Sequence, residues 1–386
     1  MLALIHPTRK ILLDNLTHAL LGAAISKAGA ERTTPLATAT LVVAANAPDI
    51  DMFSYAKGEY FALSFRRGIT HGWPALLVLP FLVAGIMLAW DRWVRRRRDS
   101  EAAPARAGPI LALSALGLLT HPALDWMNTY GMRWGLPFDG SWSYGDALFI
   151  IDPWIWVTLG GAVFLSSRPG RLGLISWGAI AALMSPLVIL GVGSLMAALW
   201  MLGFVAIVVL RFRGGPYIPL QPRAVGSIIA CVVAYVFVLF AADAVASRQV
   251  REAAEARGLS VVDVMLAPLR GNPFRSEVEV LTDDAYVPGT HRWMRSPRAV
   301  LDPEAAVPLL AAPYGHSPAR IQAIVEAARA HPTVRDYLVW SRYPYVRVTP
   351  EGNSWRVRFR DARYDGRPEA GGLAGVSVHV PDPETP

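Results

Sequence analysis

His121 and Asp125 stand four residues apart in the run Thr120-His121-Pro122-Ala123-Leu124-Asp125-Trp126. On a helix that spacing stacks an imidazole and a carboxylate on one face, which is how a single turn offers two ligands to a metal ion. The same two residues can also form a hydrogen-bonded pair with no metal. His18, Asp49, Asp51, His71 and Asp152 likewise sit at the edges of apolar segments. Ionisable groups at bilayer depth are costly, and they usually face the protein interior with a task to perform. Seven such groups, all imidazole or carboxylate, read as one metal site assembled from several helices.

Each surrounding motif carries a plainer alternative. In Asp14-Asn15-Leu16-Thr17-His18, Asp14 or Asn15 can cap a helix, and Gly22 shares a face with His18 and lets another helix approach. His18 alone could be a helix histidine satisfied by a neighbour. In Asn46-Ala47-Pro48-Asp49-Ile50-Asp51 the proline ends a helix. If the segment is extended, its two carboxylates point to opposite sides. One would then bind directly, while the other orients a ligand or takes a proton; a turn carboxylate is the simpler reading. Arg66 and Arg67 precede His71, where they can clamp an anionic substrate group or meet lipid headgroups. Asp152-Pro153 is either a helix cap or the completion of the site, and Asp146 is a further candidate.

These residues need helices to hold them. The chain of 386 residues is 53% hydrophobic, with mean hydropathy +0.33. Apolar segments at Pro74–Trp93, Pro109–Met127, Pro153–Ser166, Leu172–Val192, Gly193–Leu210 and Val225–Ala246 approach the ~20 residues of a bilayer span. Leu16–Ala28 and Pro35–Ala47 are shorter and read as helices packed against the others. The net charge of +7 gathers in short loops: Arg92 with Arg95–Arg98, Arg168 with Arg171, and Arg211 and Arg213 with Arg223. Basic loops stay cytoplasmic, so this charge reads as topogenic and no nucleic-acid partner is expected. Alternation then puts the stretch before Trp73, the loop 128–152 and everything after Ala246 outside. Arg9 and Lys10 dissent from this arrangement. An apolar run near the N-terminus imitates a signal peptide, but Asp14 and His18 interrupt it, so a retained helix is expected. Cys231, the single cysteine, lies within an apolar span and reads as packing.

Two domains follow: a helical membrane part, 1–246, and a soluble α+β part, 247–386. In the second, Arg248–Arg257 continues the last span as helix. Val261–Leu266, Glu277–Leu281, Tyr345–Val348 and Trp355–Phe359 read as strands, with a turn at Thr349–Ser354. Ser317 caps a helix over Ser317–Ala330 with Pro318 at its first position. The end, Pro381–Pro386, reads as disordered. His291, His316, His331 and His379 lack ligand spacing.

The motifs resemble those of the YdjM-type (DUF457) membrane-bound metal-dependent hydrolases. Leu16-Thr17-His18 with Gly22, Pro48-Asp49-Ile50-Asp51, Arg67-Gly68-Ile69-Thr70-His71, His121-Pro122-Ala123-Leu124-Asp125 and Asp146 to Pro153 carry the likeness. The tail run Arg358-Phe359-Arg360-Asp361-Ala362-Arg363-Tyr364 is similar to tails in that family. More distantly, the order of motifs resembles the zinc-dependent phospholipase C and P1 nuclease group. Those enzymes have further histidines after the His-x-x-x-Asp pair, whereas none lies here between His121 and His291. Asp146 and Asp152 then substitute, or the centre holds one or two ions.

The resemblance implies a bacterial inner-membrane hydrolase. Its ligands would be His18, Asp49, His71, His121, Asp125 and Asp152, with Asp51 as general base and Arg67 as substrate clamp. Nitrogen and carboxylate donors suit zinc, and also manganese or iron. The expected partners are membrane lipid and a small-molecule or lipid substrate carrying a phosphoester; no protein partner is indicated. A cation or proton transporter is the alternative, yet no ionisable residue occurs from Leu172 to Leu210. A membrane anchor for a soluble binding domain leaves the His and Asp pattern unexplained.

Overall fold

The computed structural model describes residues 7–190, 193–212, 219–364 and 368–383. Val192, Arg213, residues 384–386 and the Asp14 side chain, all used above, lie outside the described residues. The chain is a helical membrane bundle followed by a small soluble domain of antiparallel and mixed sheets.

The bundle begins with α1 (Pro7–Lys27) and α2 (Ala37–Ala44). α1 starts at Pro7 rather than at the expected cap of Asp14 or Asn15, because proline is preorganised for a first helical position. A 3-10 segment, Ala47–Lys57, and α3 (Glu59–Phe65) lead to α4 (Trp73–Arg98) and α5 (Ala107–Trp126). Then come α6 (Pro153–Ser166), α7 (Arg171–Ile189), α8 (Ser194–Phe212) and α9 (Pro222–Glu255). Among the described residues, α4, α5, α8 and α9 are long and apolar enough to cross a membrane. α6 has only 14 residues and is shorter than a span. Cys231 is exposed on α9 instead of packed, which corrects the expectation.

α2 lies between α1 and α5, and glycines set the closeness. A Cβ at Gly22 would meet the Leu41 carbonyl oxygen at 2.9 Å. One at Gly117 would meet the Ala44 Cβ at 2.8 Å. Both neighbours are close to backbone that cannot move freely. Gly117→Ala is therefore expected to destabilise by about 1–3 kcal/mol, the usual cost of overpacking, as read from thermal unfolding in detergent. An unchanged midpoint would mean that α2 and α5 are not in this contact.

α9 runs unbroken out of the bundle into the soluble domain. There β1 (Val261–Leu269), β2 (Asn272–Thr282), β3 (Ala285–Arg292) and β4 (Ala299–Leu301) form an antiparallel sheet, with β5 (Val307–Pro308) also pairing β3. The second sheet has the order β6 (Leu310–Ala311), β7 (Pro344–Glu351), β8 (Ser354–Asp361), β9 (Val376–Pro381), with β6 and β7 parallel. α10 (Pro318–Arg329) and α11 (Pro332–Trp340) pack on it. Ser317 caps α10, accepting from the Arg320 N–H at 3.2 Å, as expected. Pro381, placed in the disordered tail by sequence, closes β9. β3 and β9 were not legible: Pro288 and Gly289 interrupt the first, and the second alternates too briefly after a glycine-rich stretch.

The soluble domain sits on the α3 and 128–152 side of the bundle. Leu63 of α3 is buried in the core that holds Trp340, Tyr337 and Phe359. The Tyr60 hydroxyl donates to the Gly375 carbonyl at 3.1 Å, and the Trp142 indole donates to the Val339 carbonyl at 2.6 Å. One Nη of Arg342 donates to both oxygens of Asp146, at 2.9 and 2.8 Å. The three stretches that alternation assigned to one side of the membrane thus touch one another.

Candidate metal centre

Four elements converge here. His18 lies within α1, Asp49 and Asp51 lie in the 3-10 segment after α2, His71 just precedes α4, and His121 and Asp125 occupy the end of α5. All six are buried. A 3-10 turn replaces the extended segment expected for Asp49 to Asp51; the two carboxylates share Arg66, while Asn15 meets only Asp49 and Thr70 only Asp51.

The imidazole tautomers follow from their neighbours. His121 Nδ1 is 2.6 Å from the Ala45 carbonyl, which can only accept, so Nδ1 carries the hydrogen. His71 Nδ1 is 2.9 Å from Thr70 Oγ1 and 3.3 Å from Asp51 Oδ2. The Thr70 hydroxyl donates to Asp51 at 3.0 Å, so its oxygen accepts from His71 Nδ1. Neutral rings therefore present both Nε2 atoms as lone pairs, and these face each other at 3.1 Å. Two lone pairs at that separation repel unless a metal ion lies between them or one ring is protonated and donates to the other. Ligands of one ion with metal–nitrogen distances of about 2.0–2.1 Å also lie roughly 3 Å apart.

Carboxylates complete the donor set. Asp125 Oδ2 is 3.2 Å from His71 Nε2 and 3.5 Å from His121 Nε2. It accepts no hydrogen bond among the described residues. Asp49 Oδ1 lies 3.9 Å from both Nε2 atoms. His18 stacks on His121 with ring centroids 3.8 Å apart, and its Nε2 is 3.4 Å from Asp125 Oδ1. Two overlapping groups could hold an ion: Asp49, His71 and His121, and His18, His121 and Asp125. Buried nitrogen and carboxylate donors with oriented outer partners are what a divalent ion needs, so the residues fit the group that the sequence implied.

The outer partners hold the donors in place. Asn15 donates to Asp49 Oδ2 at 2.8 Å, and Arg66 bridges Asp49 and Asp51 at 3.2 Å each. Arg67 Nη2 pairs with Asp125 Oδ1 at 2.9 Å, and its Nη1 donates to Asn128 Oδ1 at 2.9 Å. Arg67 has φ 52, a left-handed conformation uncommon outside glycine. Its N–H donates to Asp51 at 2.9 Å, and its carbonyl accepts from Arg133 N at 2.9 Å, which fixes the turn. Three carboxylates, Asp49, Asp51 and Asp125, face only two guanidiniums, so the remaining negative charge favours a cation, either a metal ion or a protonated imidazole of the cluster.

Three sequence-based roles change. Asp152 does not join the cluster: Oδ1 caps α6 through Trp154 N at 2.8 Å and Ile155 N at 3.0 Å, and Oδ2 accepts from the Tyr235 hydroxyl at 3.1 Å. Asp152→Ala is expected to cost about 1 kcal/mol, as for a lost cap, and to leave metal content unchanged. A metal-free Asp152→Ala protein would return Asp152 to the ligand set. Asp51 accepts from three groups, Arg66 Nε, Arg67 N and Thr70 Oγ1, and lies 3.3 Å from His71 Nδ1, so it orients His71 through Thr70 and is badly placed as a base. Arg67 pairs with Asp125 and is buried beneath Tyr130, 4.7 Å from its ring centroid, where it is badly placed to clamp substrate. Asp146 pairs with Arg342, away from the cluster.

Sequence reasoning missed a set of supports: Asn15, Thr70, Asn128 and, from the soluble domain, Arg363. Arg363 Nη1 donates to the Thr129 carbonyl at 2.7 Å, next to the Asn128 that holds Arg67. Asn15 and the Arg363 run stood inside quoted motifs, but only the fold reveals their partners.

No curated protein and no solved structure matches this chain. The family model that does match, described as YdjM inner membrane protein, spans residues 13–201 and so includes every residue of the His and Asp cluster. Over that stretch the chain is similar to the YdjM family of inner membrane proteins.

Proposed function

We propose that this protein is a membrane-bound metal-dependent hydrolase whose site faces outward and whose substrate carries a phosphoester. The observation that carries the reading is the pair of His71 and His121 Nε2 atoms, turned toward each other at 3.1 Å by Ala45, Thr70 and Asp51. The divalent ion is expected to be zinc, held by His71, His121, Asp125 and Asp49 with His18 alongside. When bound, such an ion polarises a phosphoryl oxygen and makes water acidic enough to serve as a nucleophile near neutral pH.

The protein's own groups divide the remaining work. Asp49 and Arg66 form the edge of the cluster that reaches solvent, with side chains 6% and 10% exposed. Arg66 is thus better placed than Arg67 to meet an anionic substrate group. Asp49 is the carboxylate that can take a proton from water there, while Asp51 keeps His71 in its tautomer. The start of α4 and the end of α5 meet at the cluster, which supports a site near one surface, as hydrolysis requires. A transport path would need polar groups across the whole thickness.

The test is a screen of phosphomonoesters, phosphodiesters and phospholipids with purified, metal-supplemented protein beside His71→Ala. Turnover lost in the variant supports the reading. Metal-loaded protein that cleaves none of them would refute the phosphoester assignment.

A further inference from the structure

The membrane part holds a second feature, distinct from the metal centre. A cavity of about 250 Å³ lies between α1, α6, α7 and α8. Every side chain lining it is apolar or an indole, with Gly160 and Gly161 of α6 and Gly178 of α7 leaving room. Along α8 the lining runs from Trp200 to Phe212. At 1.5 Å per residue that is about 18 Å, slightly more than the roughly 15 Å of hydrocarbon in one leaflet.

Two indoles distinguish the cavity from a plain apolar trough. The Trp156 N–H donates to Thr17 Oγ1 at 2.8 Å, so it is satisfied within the protein. The Trp200 N–H is buried with no acceptor among the described residues, although Trp200 is only 4% exposed. An unmade buried hydrogen bond is costly, so a ligand offering one acceptor at that point is favoured. Trp200 stands six residues, about 9 Å, from the start of α8.

We propose that this cavity seats one acyl chain of a membrane lipid, with an ester carbonyl accepting from Trp200 and the chain running toward Phe212. An apolar cavity of this kind stays free of water, and the bilayer supplies acyl chains at high concentration. α1 forms a wall shared with the metal centre. Leu16 and Leu20 line the cavity, while His18, two residues from each, belongs to the ligand cluster. The inference does not depend on the metal centre or its chemistry.

The full chain, in nanodiscs of phosphatidylethanolamine and phosphatidylglycerol, is irradiated with phosphatidylethanolamine bearing a diazirine in its acyl chain. Adducts are then mapped by mass spectrometry. Adducts concentrated on cavity-lining residues of α6 and α8 are expected. Gly160→Leu and Ala181→Leu, on opposite walls, should each lower them about tenfold, the factor for roughly two lost methylene contacts. Trp200→Phe keeps the shape, so it reads the hydrogen bond even if a filling variant fails to fold. It should weaken capture of the ester lipid and spare an ether-linked analogue. Adducts spread over outward residues such as Leu195, Leu202 and Phe237, unmoved by all three variants, would identify annular lipid only and overturn the proposal.

Discussion

His121→Ala is expected to remove the ion-dependent part of the protein's stability. His121 belongs to both ligand groups, so its loss leaves neither complete. A ligand present at about a thousandfold over its Kd stabilises by about 4 kcal/mol. With about 2–4 °C per kcal/mol for a domain of this size, a chelator should lower the wild-type midpoint by about 10 °C. The variant should start near the chelated value and not respond further. A chelator shift equal in both proteins would mean that the ion binds elsewhere.

Asp361→Ala should produce the largest effect outside the membrane. Asp361 is fully buried and accepts from Arg363 Nε at 2.8 Å and Nη2 at 2.9 Å, from Ser341 Oγ at 2.7 Å and from Arg342 N at 2.9 Å. Removing it strands the buried Arg363 charge, a loss of about 3–5 kcal/mol. Burial alone would raise the Asp361 carboxyl, but Arg363 and the other donors more than offset this and hold it below the usual range. A carboxyl depressed on folding contributes stability that is complete above its unfolded value and is lost as pH falls through its folded value. Wild type should therefore hold its soluble domain through mildly acidic pH and weaken only below the ordinary carboxylate range. Asp361→Ala should be weak at every pH and lack that acid component. Hydrogen exchange over β8 and residues 339–343, followed against pH, checks both. Equal protection in the two proteins would rule out the buried pair as a keystone. Because Arg363 also holds Thr129, the variant should speed exchange near Asn128 and Tyr130, beside the arginine that fixes Asp125.

The sequence and the fold agree where the signal is local. His121 and Asp125 share a helical face by spacing alone, and Gly22 reads as a close approach that α2 then makes. Apolar length located the bundle, and Ser317-Pro318 located a helix start. The failures are positions where one residue type suits two roles. Asp152-Pro153 is equally a cap and a ligand until partners are seen, and the α6 N–H groups take it. Arg67 reads as a substrate clamp beside His71, yet its partners Asp125 and Asn128 lie 58 and 61 residues away. The division between Asp49 and Asp51 depended on a 3-10 turn rather than an extended strand. The support from Arg363 spans 234 residues, beyond any spacing argument.

The most direct test is the metal content of detergent-purified protein by mass spectrometry, for wild type, Asp152→Ala and His121→Ala. One or more zinc, manganese or iron ions per chain in the first two, and none in the third, is the predicted result. Metal-free wild type, even after incubation with each ion, would contradict the account and leave the cluster as a His–Asp network or a proton path.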